Sequence, residues 1–222
     1  MIYSIFLSMI YKHIIWDWNG TLLDDREICV KSINQILLNR ELPLITLENY
    51  MSLFTFPVKN FYEKLGLDFK KNSFSKVGDE FIQFYSTHFK ILKLHSNTSK
   101  VLNKVKDIGI TQSILSAAMQ GMLDKWVMDH SLTEFFIKIM GVDNQYAHGK
   151  IKIGEKHISD LKFDKKEILM IGDTVHDSEV AEQIKIDCIL IDHGHVSRTR
   201  LKKTGRDVFS NFMEIFEYLT KF

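Results

Sequence analysis

The sequence contains few of the residues that indicate a disulfide-linked protein, a cysteine-ligated metal site or a glycine-rich nucleotide-binding loop. Its 222 residues include two cysteines, two prolines and 11 glycines, and the glycines form no Walker-type phosphate loop. Cys29 and Cys188 lie far apart, so the sequence predicts neither a disulfide framework nor a cysteine-based metal site. Such sparse cysteine usage is typical of a reducing compartment, and we expect a cytoplasmic protein.

An excess of charge of either sign is also missing. The 29 lysine and arginine residues nearly balance the 28 aspartate and glutamate residues. No overall field would therefore attract nucleic acid or an anionic membrane, and we expect neither as a partner. The hydrophobic fraction of 45% is sufficient for a sizeable core, so the chain is not predicted to be disordered.

No apolar run is long enough to span a bilayer, although the first eleven residues, MIYSIFLSMIY, are strongly apolar. A secretory signal would need positive charge before its apolar run, whereas Lys12 follows this one. We interpret residues 1–11 as a leader or strand extension that packs on the body of the protein. Translation that starts at Met9 is the alternative.

The sequence does contain a repeated alternation of short apolar runs with helical patterns. The runs HIIW (13–16), ITQSILSA (110–117) and EILMIG (167–172) are typical of buried strands in a parallel sheet. Amphipathic helical stripes separate these runs, which implies right-handed crossovers. The predicted fold class is therefore α/β, with a mainly parallel sheet and helices on both of its faces.

Between the first strand and the next α/β unit, the pattern is helical only. From residue 25 to residue 94, apolar residues at three- and four-residue spacing predict four helices, rich in phenylalanine and lysine. Asp24 or Asp25 can cap the first of them. We interpret the stripe around Phe81 as the insert's own core. The chain is thus predicted to have an α/β domain (residues 1–24 and 95–222) and an inserted helical domain (25–94).

Four segments resemble, in order, the motifs of the haloacid dehalogenase superfamily. DWNGTLLD (17–24) resembles motif one, Asp-x-Asp-Gly-Thr-Leu-x-Asp, and LSA (115–117) stands at the place of motif two. Lys150 stands where motif three has its lysine before a helix, and GDTVHD (172–177) reproduces motif four, Gly-Asp-x-x-x-Asp. The resemblance implies a Rossmann-like core with the Asp17 strand between those ending at motifs two and four. It also identifies the helical insert as a cap.

The resemblance assigns roles to individual residues. It implies that Asp17 attacks phosphorus and becomes an aspartyl-phosphate, while Lys150 holds both the phosphate and this carboxylate. Lys152, two residues further along, is a rival for the lysine role. Hydroxyl and backbone N–H groups of the motif-one and motif-two turns would bind phosphate oxygens. The candidate phosphate-binding residues are Thr21, Ser116 and Ala117.

A carboxylate that attacks a phosphate dianion needs nearby cations. According to the resemblance, Asp17, Asp173 and Asp177 would offer hard oxygen ligands suited to Mg²⁺, together with the backbone carbonyl of Asn19. We expect Asp17 and Asp173 to bind the metal directly, and Asp177 to act mainly through water. Taken by itself, Asp173 could also be the N-cap of the helix that follows.

Asn19 departs from the family pattern, which has a second aspartate at this position. That aspartate exchanges protons with the leaving group and with water, whereas an amide cannot. The sequence therefore predicts a Mg²⁺-dependent phosphatase of a small phosphorylated metabolite, similar to phosphoglycolate phosphatases and possessing slow turnover. Two alternatives stay open: a family member with phosphonate or dehalogenase chemistry, and a phosphate-binding regulatory module. Neither the substrate nor the oligomeric state follows from the sequence.

Several other polar residues lie near these motifs or in the insert. No cysteine or further histidine stands at metal-ligand spacing from His176, His193 or His195, so we interpret all three as surface or rim residues. Lys59 and Lys64 of the insert are candidates for substrate contact. Most lysines there are expected to be solvated.

Overall fold

The main strands and helices of the chain follow each other in the order that the sequence predicts. The computed structural model describes residues 10–143, without the side chain of Lys90, and residues 149–221. The sequence predicts that residues 1–11 pack on the body of the protein. Of these, residues 1–9 lie outside the described residues. In chain order, the elements are β1 (His13–Trp16), β2 (Leu23–Asp24), α1 (Arg26–Leu38), α2 (Leu47–Leu53), α3 (Val58–Lys64), α4 (Phe74–His88), β3 (Lys93–Leu94), α5 (Thr98–Asp107), β4 (Thr111–Met119), α6 (Gln120–Asp129), β5 (Lys138–Val142), α7 (Lys150–Asp160), β6 (Ile168–Gly172), α8 (Val175–Ile184), β7 (Asp187–Ile191), α9 (Arg198–Lys202), β8 (Val208–Phe209) and α10 (Phe212–Leu219).

β1 lies inside a six-stranded parallel sheet with the strand order β5-β4-β1-β6-β7-β8. The predicted position of β1, between β4 and β6, is confirmed. Ile14 and Trp16 pack in one apolar cluster and Ile15 packs in another, because successive side chains point to opposite faces. Since the strands are parallel, the carboxyl ends of β1, β4 and β6 meet at one edge of the sheet. That edge carries the motif residues.

Four helices, α1 to α4, lie between β2 and β3 in the described chain, as the helical pattern predicts. β2 and β3 pair antiparallel, with Leu23 opposite Leu94 and Asp24 opposite Lys93. This two-stranded sheet joins the points where the chain enters and leaves the insert. The sequence does not predict it, because two residues are too few to carry a periodic signal. The same reason applies to β8.

The aromatic stripe of α4 packs against more than the other insert helices. The ring of Tyr85 stacks on that of Phe81, with centroids 5.7 Å apart, and lies 5.5 Å from the ring of Trp126 in α6. The apolar residues of the insert also form one continuous cluster with those of a sheet face. The interpretation of the stripe as the insert's own core is therefore incomplete. Helical periodicity identifies an apolar face but not what covers it.

The structure bears on two classes of protein considered from the sequence, namely membrane-spanning and disulfide-linked proteins. No helix in the described chain is long and apolar enough to cross a membrane. Cys29 and Cys188 are both buried, with free thiols.

A pair of buried histidines connects β1, β4 and α7 at the amino ends of the strands. His13 and His157 are both 0% exposed, and a ring nitrogen of each lies 2.7 Å from the Ser113 hydroxyl oxygen. The other ring nitrogen of His13 lies 2.7 Å from the Thr111 hydroxyl oxygen. Burial lowers the pKa of His13 to about 3 and that of His157 to about 4, because a buried imidazolium would lose its hydration.

We expect the free energy of unfolding to fall when the pH is lowered from 7 to 5. Unfolded histidines bind protons below a pKa of about 6.5, whereas this pair stays neutral in the folded chain. The stabilisation is complete above that pH and is lost as the pH falls toward the folded-state pKa values. At pH 5 the loss is roughly 2 kcal/mol for each histidine, at about 1.4 kcal/mol per pKa unit.

Urea denaturation at the two pH values measures this loss. His157→Gln should make the difference between pH 7 and pH 5 smaller by about 2 kcal/mol. Ser159→Gln, at an exposed position of the same helix, changes no titratable group, so it is the control and should leave the difference unchanged. Equal pH dependence of the wild type and His157→Gln would contradict the prediction.

Candidate active site

Asp17 directly follows β1 and is 6% exposed. Its backbone N–H donates to the Ile171 carbonyl of β6 at 2.9 Å, which extends the pairing of the two strands by one residue. Lys150 Nζ donates to Asp17 Oδ1 at 2.5 Å, and the Thr21 hydroxyl oxygen lies 3.3 Å from Oδ2. The carboxylate that the sequence nominates as nucleophile is therefore held by a cation and lies beside a hydroxyl.

Lys150 is the first residue of α7 and follows Gly149, whose φ is +97°. The lysine is 2% exposed, and its ammonium donates to Asp17 Oδ1 at 2.5 Å and to Asp177 Oδ1 at 2.6 Å. Burial alone would lower the pKa of Lys150, but the two carboxylates raise it above its ordinary value. It is therefore charged at neutral pH. Lys152, the rival, is exposed.

Asp173 and Asp177 complete a group of three buried carboxylates with Asp17. Their ligand oxygens all lie within 4.8 Å of one another. Thr174 is the N-cap of α8, and its N–H and hydroxyl donate to Asp177 Oδ2 at 2.9 and 2.7 Å. The N-cap interpretation of Asp173 is therefore wrong. The carboxylate of Asp173 instead faces the end of β1.

Two glycines allow the backbone to approach the Asp173 carboxylate closely. A Cβ on Gly20, whose φ is +77°, would lie 2.4 Å from Asp173 Oδ2, and a Cβ on Gly194 would lie 2.0 Å from the same atom. In this space, the Thr21 hydroxyl donates to Asp173 Oδ1 at 2.8 Å and the His195 N–H donates to Oδ2 at 2.6 Å. Thr21, expected to bind phosphate, here orients the carboxylates.

The three carboxylates carry more negative charge than Lys150 can balance. Burial raises the pKa of Asp17, with Lys150 opposing and the other two carboxylates adding to the rise. Burial also raises the pKa of Asp173, although His195 opposes it. A divalent cation would compensate this charge, and carboxylate oxygens are the ligands that hard cations prefer. Asp17, Asp173 and Asp177 therefore fit a divalent metal.

A cavity of about 180 Å³ opens beside this group, and Asp17, Ser116, Ala117 and Lys150 all line it. The Ser116 side chain is buried within β4. Beyond Leu115, the pairing of β4 with β5 is irregular as far as Met119. Polar groups of this stretch can therefore bind a ligand instead of a neighbouring strand.

The geometry agrees with a comparison at the level of the family. The model that describes haloacid dehalogenase-like hydrolases matches residues 14–191, most of the chain. The chain belongs to the haloacid dehalogenase-like hydrolases. The resemblance drawn from the four motifs is confirmed.

Solved structures resemble the hydrolase in fold over nearly its whole length. A predicted phosphatase from Clostridium acetobutylicum is 19% identical, with a TM-score of 0.78 over 96% of this chain and 100% of that one. A predicted phosphoglycolate phosphatase from Haemophilus somnus is 15% identical, with a TM-score of 0.76 over 95% and 99%. A haloacid dehalogenase-like hydrolase from Streptococcus pneumoniae is 16% identical, with a TM-score of 0.80 over 95% and 99%. These identities establish similarity of fold alone. No curated protein matches this chain in sequence.

In this hydrolase, the Asn19 amide binds a fourth buried carboxylate, that of Asp25. Asn19 Nδ2 donates to Asp25 Oδ2 at 2.8 Å and to the Tyr85 hydroxyl at 3.1 Å. Asp25 also accepts from the Gly20 N–H at 2.9 Å and from the Tyr85 hydroxyl at 2.8 Å. Burial alone would raise the pKa of Asp25, but His195 and these donors hold it below its ordinary value. A carboxylate is thus present beside position 19, but it belongs to Asp25 and not to residue 19, where the family has its aspartate.

The sequence interpretation of His195 as a rim residue is wrong. His195 is 4% exposed, its Nε2 lies 3.2 Å from Asp25 Oδ1, and its Nδ1 lies 2.9 Å from the Tyr50 hydroxyl oxygen. Burial would lower the pKa of His195, but Asp25 and the other carboxylates raise it to about 9. Its position depends on the close approach at Gly194, for which the sequence carries no local signal.

The side chain of Asp25 does not cap α1, although the sequence makes Asp25 a candidate for that cap. It stands at the N-cap of α1, but its side chain makes no capping hydrogen bond, because the carboxylate turns toward Asn19. The pair Asp24-Asp25, together with the missing aspartate at position 19, was the available sequence signal. Asp25, Cys29 and His195 lie close enough together to hold a metal, but hydrogen bonds already engage the carboxylate and both ring nitrogens.

The remaining candidates lie at different distances from the cavity. His176 lines it and stacks on Phe56, with centroids 4.7 Å apart. His193 is half-buried outside it, and its Nε2 lies 2.9 Å from the Thr21 carbonyl oxygen. Lys59 and Lys64 are exposed, and neither is among the residues that line the cavity.

Lys150→Ala is expected to lower kcat/KM by about 10²–10³-fold, the loss typical of one preorganised donor to a developing charge. Lys152→Ala, at the exposed site two residues away, is the matched control and should change kcat/KM by about twofold or less. Lys150→Met keeps most of the side-chain volume and separates loss of charge from loss of packing. Circular dichroism checks that each variant is folded. A larger loss in Lys152→Ala than in Lys150→Ala would overturn the assignment.

Proposed function

We propose that this hydrolase is a Mg²⁺-dependent phosphatase that acts on a small phosphorylated metabolite through an aspartyl-phosphate on Asp17. The observation that carries the proposal is the buried Lys150 ammonium, which donates to both Asp17 and Asp177. A fixed cation beside the end of β1 both holds the nucleophile and attracts the phosphoryl group. The phosphatase names of the structures with similar folds are consistent with it.

In the proposed reaction, an Asp17 oxygen forms a bond to phosphorus as the bond to the alcohol oxygen breaks, and the leaving alkoxide takes a proton from solvent water because the Asn19 amide cannot supply one. A water molecule then attacks phosphorus as the phosphorus–oxygen bond to Asp17 breaks. This step restores the Asp17 carboxylate and releases phosphate, and the proton of the attacking water passes to solvent. Lys150 orients the Asp17 oxygen, and Ser116 with Ala117 offers donors to the phosphoryl oxygens. Mg²⁺, held by Asp17, Asp173, Asp177 and the Asn19 carbonyl, would supply charge compensation when bound.

Asn19 makes slow turnover part of the proposal. Its amide donates to Asp25 and cannot protonate the leaving oxygen. A positioned acid–base group is typically worth roughly 10²–10⁴ in rate, so ordinary alkyl phosphates should react slowly. The same observation favours a second candidate function, a regulatory module that retains phosphate or aspartyl-phosphate with little turnover.

A panel of phosphorylated metabolites, with Mg²⁺ and with excess chelator, tests the proposal. Hydrolysis that requires Mg²⁺ is expected, and Asp173→Asn should raise the Mg²⁺ concentration needed for half-maximal rate because it removes a charged ligand. One equivalent of alcohol released without further turnover would favour the regulatory module. Dehalogenation or phosphonate cleavage, without hydrolysis of phosphate esters, would replace the proposal by the other family chemistries.

We also propose a cytoplasmic location and small-molecule partners. The two free, buried thiols are compatible with a reducing compartment. The near balance of charge gives no reason to expect nucleic acid or a membrane as a partner.

A further inference from the structure

The active-site cavity continues from the carboxylates into an apolar space between the insert and the α/β part of the chain. The insert contributes aromatic side chains to its wall, among them Phe61, Phe81 and Tyr85. Met122 and Trp126 of α6 line it as well. Since Asp17 and Lys150 line the same cavity, whatever follows the phosphoryl group of a substrate bound in this cavity lies against these side chains.

Cations are scarce in this wall. Of the described residues that line the cavity, Lys150 is the only lysine or arginine, and its ammonium is already bound to Asp17 and Asp177. A second anionic group on the substrate would lose its hydration without gaining a lysine or arginine as its partner, which is costly in an apolar site. Lysines of the insert that could have served, Lys59 and Lys64, are exposed elsewhere.

The two histidines of the wall already have partners for one or both ring nitrogens. The ring nitrogens of His195 lie within hydrogen-bond distance of Asp25 and Tyr50. His176 Nδ1 lies 3.2 Å from Glu179 Oε2, and the ring stacks on Phe56. Both imidazoles are therefore held in place by neighbouring groups.

The size of the cavity limits the whole ligand, because the space beside Asp17 and Lys150 that would hold the phosphoryl group belongs to the same cavity. Its volume of about 180 Å³ is slightly larger than the roughly 150 Å³ of an engineered apolar cavity that binds benzene. A single aromatic ring or a branched alkyl group fits this scale, whereas a nucleoside does not.

We propose that the substrate is a phosphate monoester whose alcohol part is apolar, no larger than about one aromatic ring, and free of any second anionic group. The proposal rests on the proposed phosphatase function and specifies its substrate class. It differs from phosphoglycolate, whose carboxylate would lie against the apolar wall.

Stable phosphonates test the recognition separately from the chemistry. Calorimetric titration of the wild-type protein with Mg²⁺ would use benzylphosphonate, phosphonoacetate and inorganic phosphate. We expect benzylphosphonate to bind at least about tenfold more tightly than phosphonoacetate, by the usual worth of a buried apolar group. Equal or tighter binding of phosphonoacetate would overturn the substrate class while leaving the phosphatase function intact. Failure of inorganic phosphate to bind, with no ester hydrolysed, would instead remove the proposed function and the substrate class with it.

The rate for benzyl phosphate gives a second measure of the same preference. Its leaving group is an ordinary primary alcohol, so fast reaction would reflect recognition of the ring and not a better leaving group. We expect kcat/KM for benzyl phosphate to exceed that for 2-phosphoglycolate by at least about tenfold. The opposite preference would overturn the proposal.

Met122→Lys places a cation in the apolar wall with little change in side-chain length. It should tighten phosphonoacetate and weaken benzylphosphonate, each by about tenfold, and so reverse the preference. Met128→Lys makes the same change on the same helix at a position that is 62% exposed and outside the cavity. This control should alter neither affinity by more than about twofold.

Met122→Gln tests the same position in case the lysine variant does not fold. It adds a polar group without charge, and it should weaken benzylphosphonate without tightening phosphonoacetate. Identical affinities in Met122→Gln, Met128→Lys and the wild type would mean that the ligand does not reach this wall, and would overturn the proposal.

Discussion

Asp17→Asn is expected to lower turnover by roughly 10⁵-fold or more, the scale of loss that follows removal of a covalent nucleophile. The amide has nearly the same shape as the carboxylate but does not attack phosphorus. Steady-state hydrolysis of phenyl or benzyl phosphate in the presence of Mg²⁺ measures the loss. No phosphorylated form of residue 17 should appear in intact-protein mass spectrometry of the variant.

The same variant should remain folded, and in the absence of metal it should be at least as stable as the wild type at pH 7.5. Burial and neighbouring carboxylates raise the pKa of Asp17, so the ionised form opposes folding at a pH above its unfolded-state value. A raised carboxyl pKa stabilises the fold at low pH, and this contribution is lost as the pH rises. The amide never ionises and avoids that loss.

Asp24→Asn is the matched control for this prediction. Asp24 belongs to the same motif-one segment, but it is exposed on β2. Its replacement should leave turnover within about twofold of wild type. Turnover retained in a folded Asp17→Asn protein would remove Asp17 from the role of nucleophile.

Exchanging the Asn19 amide and the Asp25 carboxylate should raise the rate of alkyl phosphate hydrolysis by about 10²-fold or more. The double variant Asn19→Asp with Asp25→Asn restores the family's aspartate and keeps one amide and one carboxylate in contact. Asn19→Asp alone should gain much less. It would bring a half-buried carboxylate and the buried one of Asp25 to the 2.8 Å separation now spanned by the Asn19–Asp25 hydrogen bond, so that one of them must bind a proton.

Thermal unfolding provides an independent readout of the same exchange. Asn19→Asp alone should lower the melting temperature, and adding Asp25→Asn should recover it, because a carboxylate pair is replaced by a donor and an acceptor. Asp25→Asn alone gives the reference for loss of the contact with His195. If Asn19→Asp alone reaches the rate of the double variant, Asp25 does not oppose it and the argument fails.

The wild-type rate must come from protein with an intact amide at position 19. Asn-Gly sequences can deamidate, and Asn19 precedes Gly20. Mass spectrometry of the peptide that covers residues 13–26 detects the conversion. Without this check, an aspartate formed during storage could be mistaken for intrinsic activity.

The features that the sequence predicts are those with a local signal. The strand before Asp17, the lysine at the start of α7 and the Gly-Asp of motif four are each recognisable from neighbouring residues, and the parallel sheet then brings them to one edge. The choice of Lys150 over Lys152 agrees with the contacts of Lys150 to two carboxylates.

The features that it misses depend on contacts between distant segments. His195 and Asp25 are separated by most of the chain, yet Nε2 of the histidine lies 3.2 Å from the carboxylate. Neither residue type nor spacing predicts such a pair. The sequence predicts that the aromatic stripe around Phe81 is apolar and helical. Whether one of its rings faces a cavity or a core depends on the packing of the insert on α6.

The pairing of β2 with β3 has an evolutionary consequence. Leu23 faces Leu94 and Asp24 faces Lys93, so the helical insert leaves and rejoins the chain at nearly the same point. A segment with adjacent ends can be lengthened, shortened or exchanged with little cost to the rest of the chain, because loop closure adds little entropy there. Selection can therefore renew the insert's part of the apolar wall as one block while α6 and the residues at the sheet edge stay unchanged. Asp25 and Tyr85 are exceptions: both belong to the exchangeable block but bind Asn19, so these three positions would have to change together.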